Sequence, residues 1–154
     1  MAGRTLEDLA SGPGLVARLN RVRANGIEPV QSGEAVLARA ASGDAEAVRI
    51  VQSGAEALGA MIGMLVSTLD PEAVVIGGGL GTSSGLYWSG LEASVRKHTW
   101  SELQRSIPLV QAATGANAGV IGAAALARKR ALGERSARAR ESAQPPIDQR
   151  TKEG

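Results

Sequence analysis

The chain predicts a helix-rich α/β domain, and three observations carry that reading. Val74, Val75 and Ile76 are three β-branched residues in a row with no polar alternation, the pattern of a strand buried on both faces of a parallel sheet. Ile107 to Ala112 forms a second apolar run, with Pro108 at its start, where a missing N–H does least harm. Both runs are separated and followed by segments with helical periodicity. Strand, helix, strand, helix with a right-handed crossover gives a parallel pair carrying helices. Two strands alone make a poor sheet, so the expected domain is incomplete.

The elements follow in order. Thr5 caps a short turn to Ala10, with Glu7 and Asp8 where the helix dipole favours acids. Pro13 opens a second helix in which Leu15, Leu19 and Val22 recur at helical spacing, and Asn25 and Gly26 end it. Ser32 starts a third helix to Ala41. Asp44 caps the longest, which reaches Leu69 and carries the stripe Val51, Ala55, Leu58, Ile62, Leu65, Leu69. From Ala57 to Val66 nearly every residue is apolar or glycine, which predicts burial all round. Gly54, Gly59 and Gly63 each cost a helix about 1 kcal/mol relative to alanine, and close approach of a neighbouring backbone is the usual compensation. Ser83 or Ser84 is expected to cap a helix to Thr99 that buries Trp88, Leu91 and Val95. Thr114 and Gly115 lead into a last helix, with Ala118, Gly122 and Ala125 on a narrow face and Gly133 at its C-cap.

Composition narrows the function. The 154 residues contain no cysteine, which excludes a disulfide framework and a thiolate metal site and agrees with a reducing setting. No run of 18 apolar residues and no greasy N-terminus occurs, so a cytoplasmic protein is the expectation. The core must be aliphatic, since phenylalanine is absent and only two tryptophans and one tyrosine occur. Residues 128 to 154 hold 8 of the 17 Lys and Arg but only 4 of the 15 acids, leaving 9 bases against 11 acids before them. The body is mildly acidic and lacks the basic, aromatic face of a nucleic-acid binder, so nucleic acid is not an expected partner. Residues 133–154 have no apolar period and read as a disordered basic tail behind a domain of residues 1–132.

The chemistry-bearing stretch is LDPEAVVIGGGLGTSS, residues 69–84. Ligands of open α/β folds sit beyond the carboxyl ends of such strands. Glycines there remove the Cβ atoms that hold a ligand away, so Gly77, Gly78, Gly79 and Leu80 are the candidate ligand-facing residues, most naturally for a nucleotide. Gly79 to Ser84 misses the dinucleotide fingerprint at its last glycine, and no acid follows the second strand; a phosphate-binding Gly-Lys-Ser/Thr is also missing. A purely structural role, letting a helix pack close to the strand, stays open. His98 has no serine, cysteine or metal-ligand partner at useful spacing, and no carboxylate pair, triad or metal cluster stands out. No catalytic residue and no metal site is assigned.

The order ASGPGLVARLNR, SGDAEAVRIV, LDPEAVVIGGGL and VQAATGANAGVIGAAALA resembles the C-terminal part of the ROK family of repressors, open reading frames and sugar kinases, over about residues 5 to 131. The resemblance implies the C-terminal lobe of an actin-like, ribonuclease H-like ATPase fold, incomplete here, with ATP in the cleft between two lobes. It places Gly77, Gly78, Gly79 and Leu80 at the adenosine. The family's cysteine-rich zinc run falls on MAGRTLE, where Thr5 takes the place of its last cysteine, so no zinc site is expected. Glu7 matches that run's glutamate, which in the sugar kinases contacts the sugar.

The family's phosphate loops, catalytic Asn-Asp pair and metal-binding histidine all precede the matched region. The expectation is therefore a truncated C-terminal fragment of a glucokinase-like, ATP- and Mg-dependent hexose kinase, a transferase of carbohydrate metabolism, inactive by itself. Its expected partners are a sugar in the parent enzyme and either a missing N-terminal lobe or a second copy, with no membrane. A non-catalytic sugar-sensing or interaction module related to the ROK repressors is the alternative.

Overall fold

The computed structural model describes residues 5–23 and 28–142. The chain divides into two compact units, 1–115 and 116–154, each described by itself. Asn25 and Gly26, read as the end of the second helix, lie outside the described residues.

The first unit opens with α1, Leu6–Ala10, where the Thr5 hydroxyl accepts from Asp8 N–H while the Asp8 carboxylate accepts from Thr5 N–H, a reciprocal cap. Ser11 caps α2, Gly12–Val22, and Ser32 caps α3, Gly33–Ala41. Asp44 accepts from the N–H groups of Glu46 and Ala47 at the start of α4, Ala45–Leu69. Those donors and the neighbouring Arg23, 3.0 Å away, hold its carboxyl below the usual range. Asp70 stops α4 in the left-handed region at φ +46°, steadied by Gln104, which donates to its carboxylate at 2.7 Å.

Next come β1, Val74–Ile76; α5, Gly78–Gly81; α6, Leu86–His98; α7, Glu102–Arg105; and β2, Leu109–Gln111. β1 and β2 pair in parallel with Val75 opposite Val110. The expected parallel pair is present, shortened at its ends. The buried core joins Leu15, Leu19, Val36, Val51, Leu91 and Val95 from α2, α3, α4 and α6.

Three sequence expectations are corrected here. The β1 strand is not buried on both faces: Ile76 enters the core while Val75 is 66% exposed, because the first unit layers its helices on one side of the two strands only. The second half of α4 is not buried all round, since Met61, Met64 and Leu65 face outward. The buried track shifts from Leu65 and Leu69 to Gly59, Gly63 and Val66, the small residues that let α6 approach. Helix α6 starts at Leu86 behind Gly85, whose φ of +84° suits glycine, rather than behind a serine cap. It buries the expected Leu91 and Val95, but Tyr87 takes the buried place expected of Trp88, which is half-buried beside it.

Tyr87 ties α6 to α1, its hydroxyl donating to the Ala10 carbonyl at 2.8 Å. Burial pushes its pKa from 10.0 up to about 12. The raised value means the native state holds the proton more tightly than the unfolded chain. The associated stability is present below pH 10 and is lost as pH climbs towards 12. Tyr87 is the chain's one tyrosine, so phenolate absorbance reports it alone. The expected titration midpoint is near 12 in the folded chain and falls to the ordinary value in denaturant. A folded-state midpoint at the ordinary value would show the ring to be solvated.

The second unit is α8, Ala118–Ser142, entered through a helical turn at Gly115–Asn117. It runs through Gly133, where composition suggested a stop and the start of the tail. Alanine, leucine and arginine before it and glutamate, arginine and alanine after it favour helix strongly enough to carry one glycine, and the next proline comes only at Pro145. Residues 143–154 lie outside the described residues.

By length and composition alone α4 could cross a membrane. Here it is the central helix of the first unit, with Gly54, Ala55, Gly59 and Gly63 buried against its neighbours, which is how core helices pass the same test.

Candidate functional site

The glycine turn after β1 is itself a single helical turn, α5. Gly78 takes φ +85°, a conformation that L side chains rarely adopt, and a Cβ there would meet open space. The Thr82 hydroxyl donates to the Gly78 carbonyl at 3.0 Å and the Ser83 hydroxyl to the Leu80 carbonyl at 2.6 Å, closing the turn on itself. Gly81 is the structural glycine of the set, because its Cβ would sit 2.8 Å from Ile76 Cγ2.

Gly79 and Leu80 line an open groove of about 500 Å³ whose other walls come from α2 and α3. That volume lies within the roughly 300–1,000 Å³ usual for small-molecule sites. Its apolar wall is Pro13, Val16, Ala17 and Leu80; its polar edge is Gln31, Ser32 and Glu34. Gly12 and Gly33 meet at its floor, where a Cβ on Gly33 would come 3.0 Å from the Gly12 Cα and 3.6 Å from Leu80. A Cβ on Gly79 would meet only the Glu34 carboxylate, 3.8 Å away, so the turn is bare on the groove side. Glu34 stays ionised, its carboxyl held below the ordinary range by its own backbone N–H and by the Ser32 hydroxyl at the start of α3.

This lining contains no lysine or arginine. An apolar wall facing one carboxylate, a carboxamide and a hydroxyl suits a neutral heterocycle with ribose hydroxyls, and repels a phosphate chain. The residues therefore fit the nucleoside end of a nucleotide.

The structure does not gather every candidate into this groove. Gly77 lies beside β2, with its Cβ direction 3.5 Å from Ala112, and Gly78 faces open space. Glu7 stands exposed on α1 and is absent from the lining. Gln31, Ser32, Gly33 and Glu34 were not singled out as site residues from sequence; the serine cap and the paired glycines of α2 and α3 were the available signals. His98 donates through Nδ1 to the Ser94 carbonyl at 2.8 Å, with the Ser94 hydroxyl oxygen 3.3 Å from the same nitrogen, while that hydroxyl donates to the Glu56 carbonyl. Both groups are spent on local packing, and no nucleophile–base pair results.

The sequence model of the ROK family matches residues 2–130. The chain belongs to the ROK family. Among solved structures it is similar to a ROK glucokinase from Streptomyces griseus in complex with glucose and AMPPNP, at 28% identity over 80% of this chain and 44% of that one, with a TM-score of 0.66. It is likewise similar to a ROK hexokinase from Thermus thermophilus, at 31% identity over 79% of this chain and 39% of that one, TM-score 0.65. A sugar kinase described as putative from Cytophaga hutchinsonii, at 21% identity and TM-score 0.68, shares the fold. No curated protein matches the chain. The fold is thus that of the actin-like sugar kinases, of which this ROK chain spans less than half the length.

Proposed function

We propose that this chain is the nucleoside-holding C-terminal lobe of a ROK-type sugar kinase, with adenosine seated in the groove of Gly79, Leu80, Gly33 and Glu34. The observation that carries the reading is the bare glycine turn opening on a cation-free groove in a chain of this family. Bound ATP, with Mg²⁺, would supply the phosphoryl group that the complete enzyme moves to a hexose hydroxyl.

The chain's own residues then have defined tasks. Pro13, Val16 and Leu80 exclude water from the heterocycle, and Gln31 and Glu34 accept and donate hydrogen bonds at its edge and at the ribose. Gly77 and Gly78 keep the strand end open towards the phosphates. Glu7 on α1 would face the sugar in the complete enzyme. Phosphoryl transfer further needs a base for the sugar hydroxyl and a cationic cradle for the phosphates, and the groove's lining provides neither. Such a lobe works in the cytoplasm, where ATP is.

Calorimetric titration with adenosine and with AMPPNP tests the reading. Both bind with similar affinity, since the phosphates lie outside the groove, and Gly79→Leu weakens both at least tenfold while leaving the helical circular dichroism unchanged. The pure chain transfers no phosphate from ATP to glucose. Absent binding, or binding indifferent to Gly79→Leu, would refute the assignment.

A further inference from the structure

Residues 1–127 carry 9 Lys and Arg against 11 acids, yet three of those bases, Arg18, Arg21 and Arg49, line one groove between α2 and α4. The groove holds about 340 Å³, its other walls are Val22, Ile50 and Ser53, and no carboxylate lines it. Arg18 and Arg21 stand three apart on α2, where side chains are neighbours, with Arg49 across the groove on α4. Like charges so gathered repel one another, and an anion entering the groove relieves them.

The three arginines are held differently. Arg18 is half-buried and fixed: it donates to the Leu9 carbonyl at 2.8 Å, to the Ile50 carbonyl at 3.4 Å and to the Ser53 hydroxyl, which itself donates to the Ile50 carbonyl at 3.0 Å. A ligand meeting it has no side chain to order there. Arg49 is exposed and pairs with Glu46 one turn back on α4, and an exposed pair of that kind yields readily to a stronger anion. Arg21 is exposed and takes part in none of the ion pairs among the described residues.

A guanidinium presents a flat fork of N–H groups that fits two oxygens of a carboxylate or a phosphate. One fork satisfies a carboxylate, which has two oxygens and a single charge. Three forks lining one groove match a group with three free oxygens and nearly two charges. A nucleic-acid backbone would need such cations repeated along a surface, and the acidic body does not repeat them. We infer that the groove of Arg18, Arg21 and Arg49 binds a phosphate dianion, free or as the head of a small phosphate monoester whose carbon end lies against Val22 and Ile50. It shares no lining residue with the groove at Gly79 and does not depend on what that groove holds.

Calorimetric titration of the full chain with inorganic phosphate and with glycerol 3-phosphate, at constant ionic strength, tests it. Both bind, and Arg21→Gln or Arg49→Gln alone weakens binding roughly tenfold, the loss of one charge-assisted contact. Helical circular dichroism is unchanged in both variants, whose side chains are exposed. Lys97→Gln, outside this groove, binds like the wild type. Tighter binding of glycerol 3-phosphate makes the ester head the ligand, and tighter binding of inorganic phosphate makes it the free ion; either supports the site. Failure of both to bind, even where a short DNA duplex binds, would overturn the inference. So would acetate binding as tightly as phosphate, or Lys97→Gln losing as much as Arg21→Gln, which would mean diffuse attraction to the whole surface. Should a glutamine variant unfold, Arg21→Lys decides, because it keeps the charge and loses the fork: weakened phosphate binding supports the site, and unchanged binding overturns it.

Discussion

Replacing Gly59 by leucine lowers the thermal unfolding midpoint by roughly 10 °C or leaves the chain unfolded. The first atom added would already stand 2.5 Å from the Ser94 Cβ and 2.7 Å from the Leu91 carbonyl oxygen, and the rest of the side chain points into α6. Backbone cannot swing aside as a flexible side chain does, so the two helices must separate along their length. Overpacking of a tight interior costs about 1–3 kcal/mol and more where backbone blocks relaxation. In a chain of this size each kcal/mol moves the midpoint by roughly 2–4 °C. Gly119→Ala is the contrasting substitution, because a Cβ there meets nothing within 4 Å. It leaves the midpoint unchanged or raises it slightly, as alanine favours helix. A Gly59→Leu chain that melts with the wild type would mean that α4 and α6 do not cross at that glycine.

Leu15→Ala costs about 2–5 kcal/mol, the range for emptying a buried leucine site. Leu15 is fully buried in α2, and one of its methyl carbons reaches to 3.0 Å of where a Cβ on Gly54 would stand. The void left behind opens between two helices already fixed elsewhere. Arg18 ties α2 to the Leu9 carbonyl at 2.8 Å and to the Ser53 hydroxyl, which restricts collapse into the gap. Denaturant unfolding should show the midpoint falling with little change in slope. A loss under 1 kcal/mol would place Leu15 outside the core.

The order of elements was legible because capping is local chemistry. Thr5, Ser32 and Asp44 each satisfy the free N–H groups of the next helix, and nothing distant competes with them. The burial of α4 was not legible, since an apolar residue says that it can be covered and not that it is. Met61 and Leu65 read as core in the sequence yet face outward, whereas Gly59 and Gly63, read as places where a neighbouring backbone comes close, do form such a contact. The same limit applied to the candidate groove. Gly79 and Leu80 could be found from the strand that precedes them, but Gln31, just before the cap of α3, and Glu34, in its first turn, lie more than forty residues upstream, and only folding brings them to the turn.

The most direct test of the account is amide NMR of the nitrogen-labelled chain titrated with adenosine. The expected result is shifts confined to Gly12, Gly33, Glu34, Gly79 and Leu80, with His98 and Lys97 on the α4–α6 face unmoved, and their loss in Gly79→Leu. Resonances of the Gly79 groove that stay fixed at saturating adenosine, or shifts centred on the α4–α6 face, would contradict the claim that this turn holds a nucleoside.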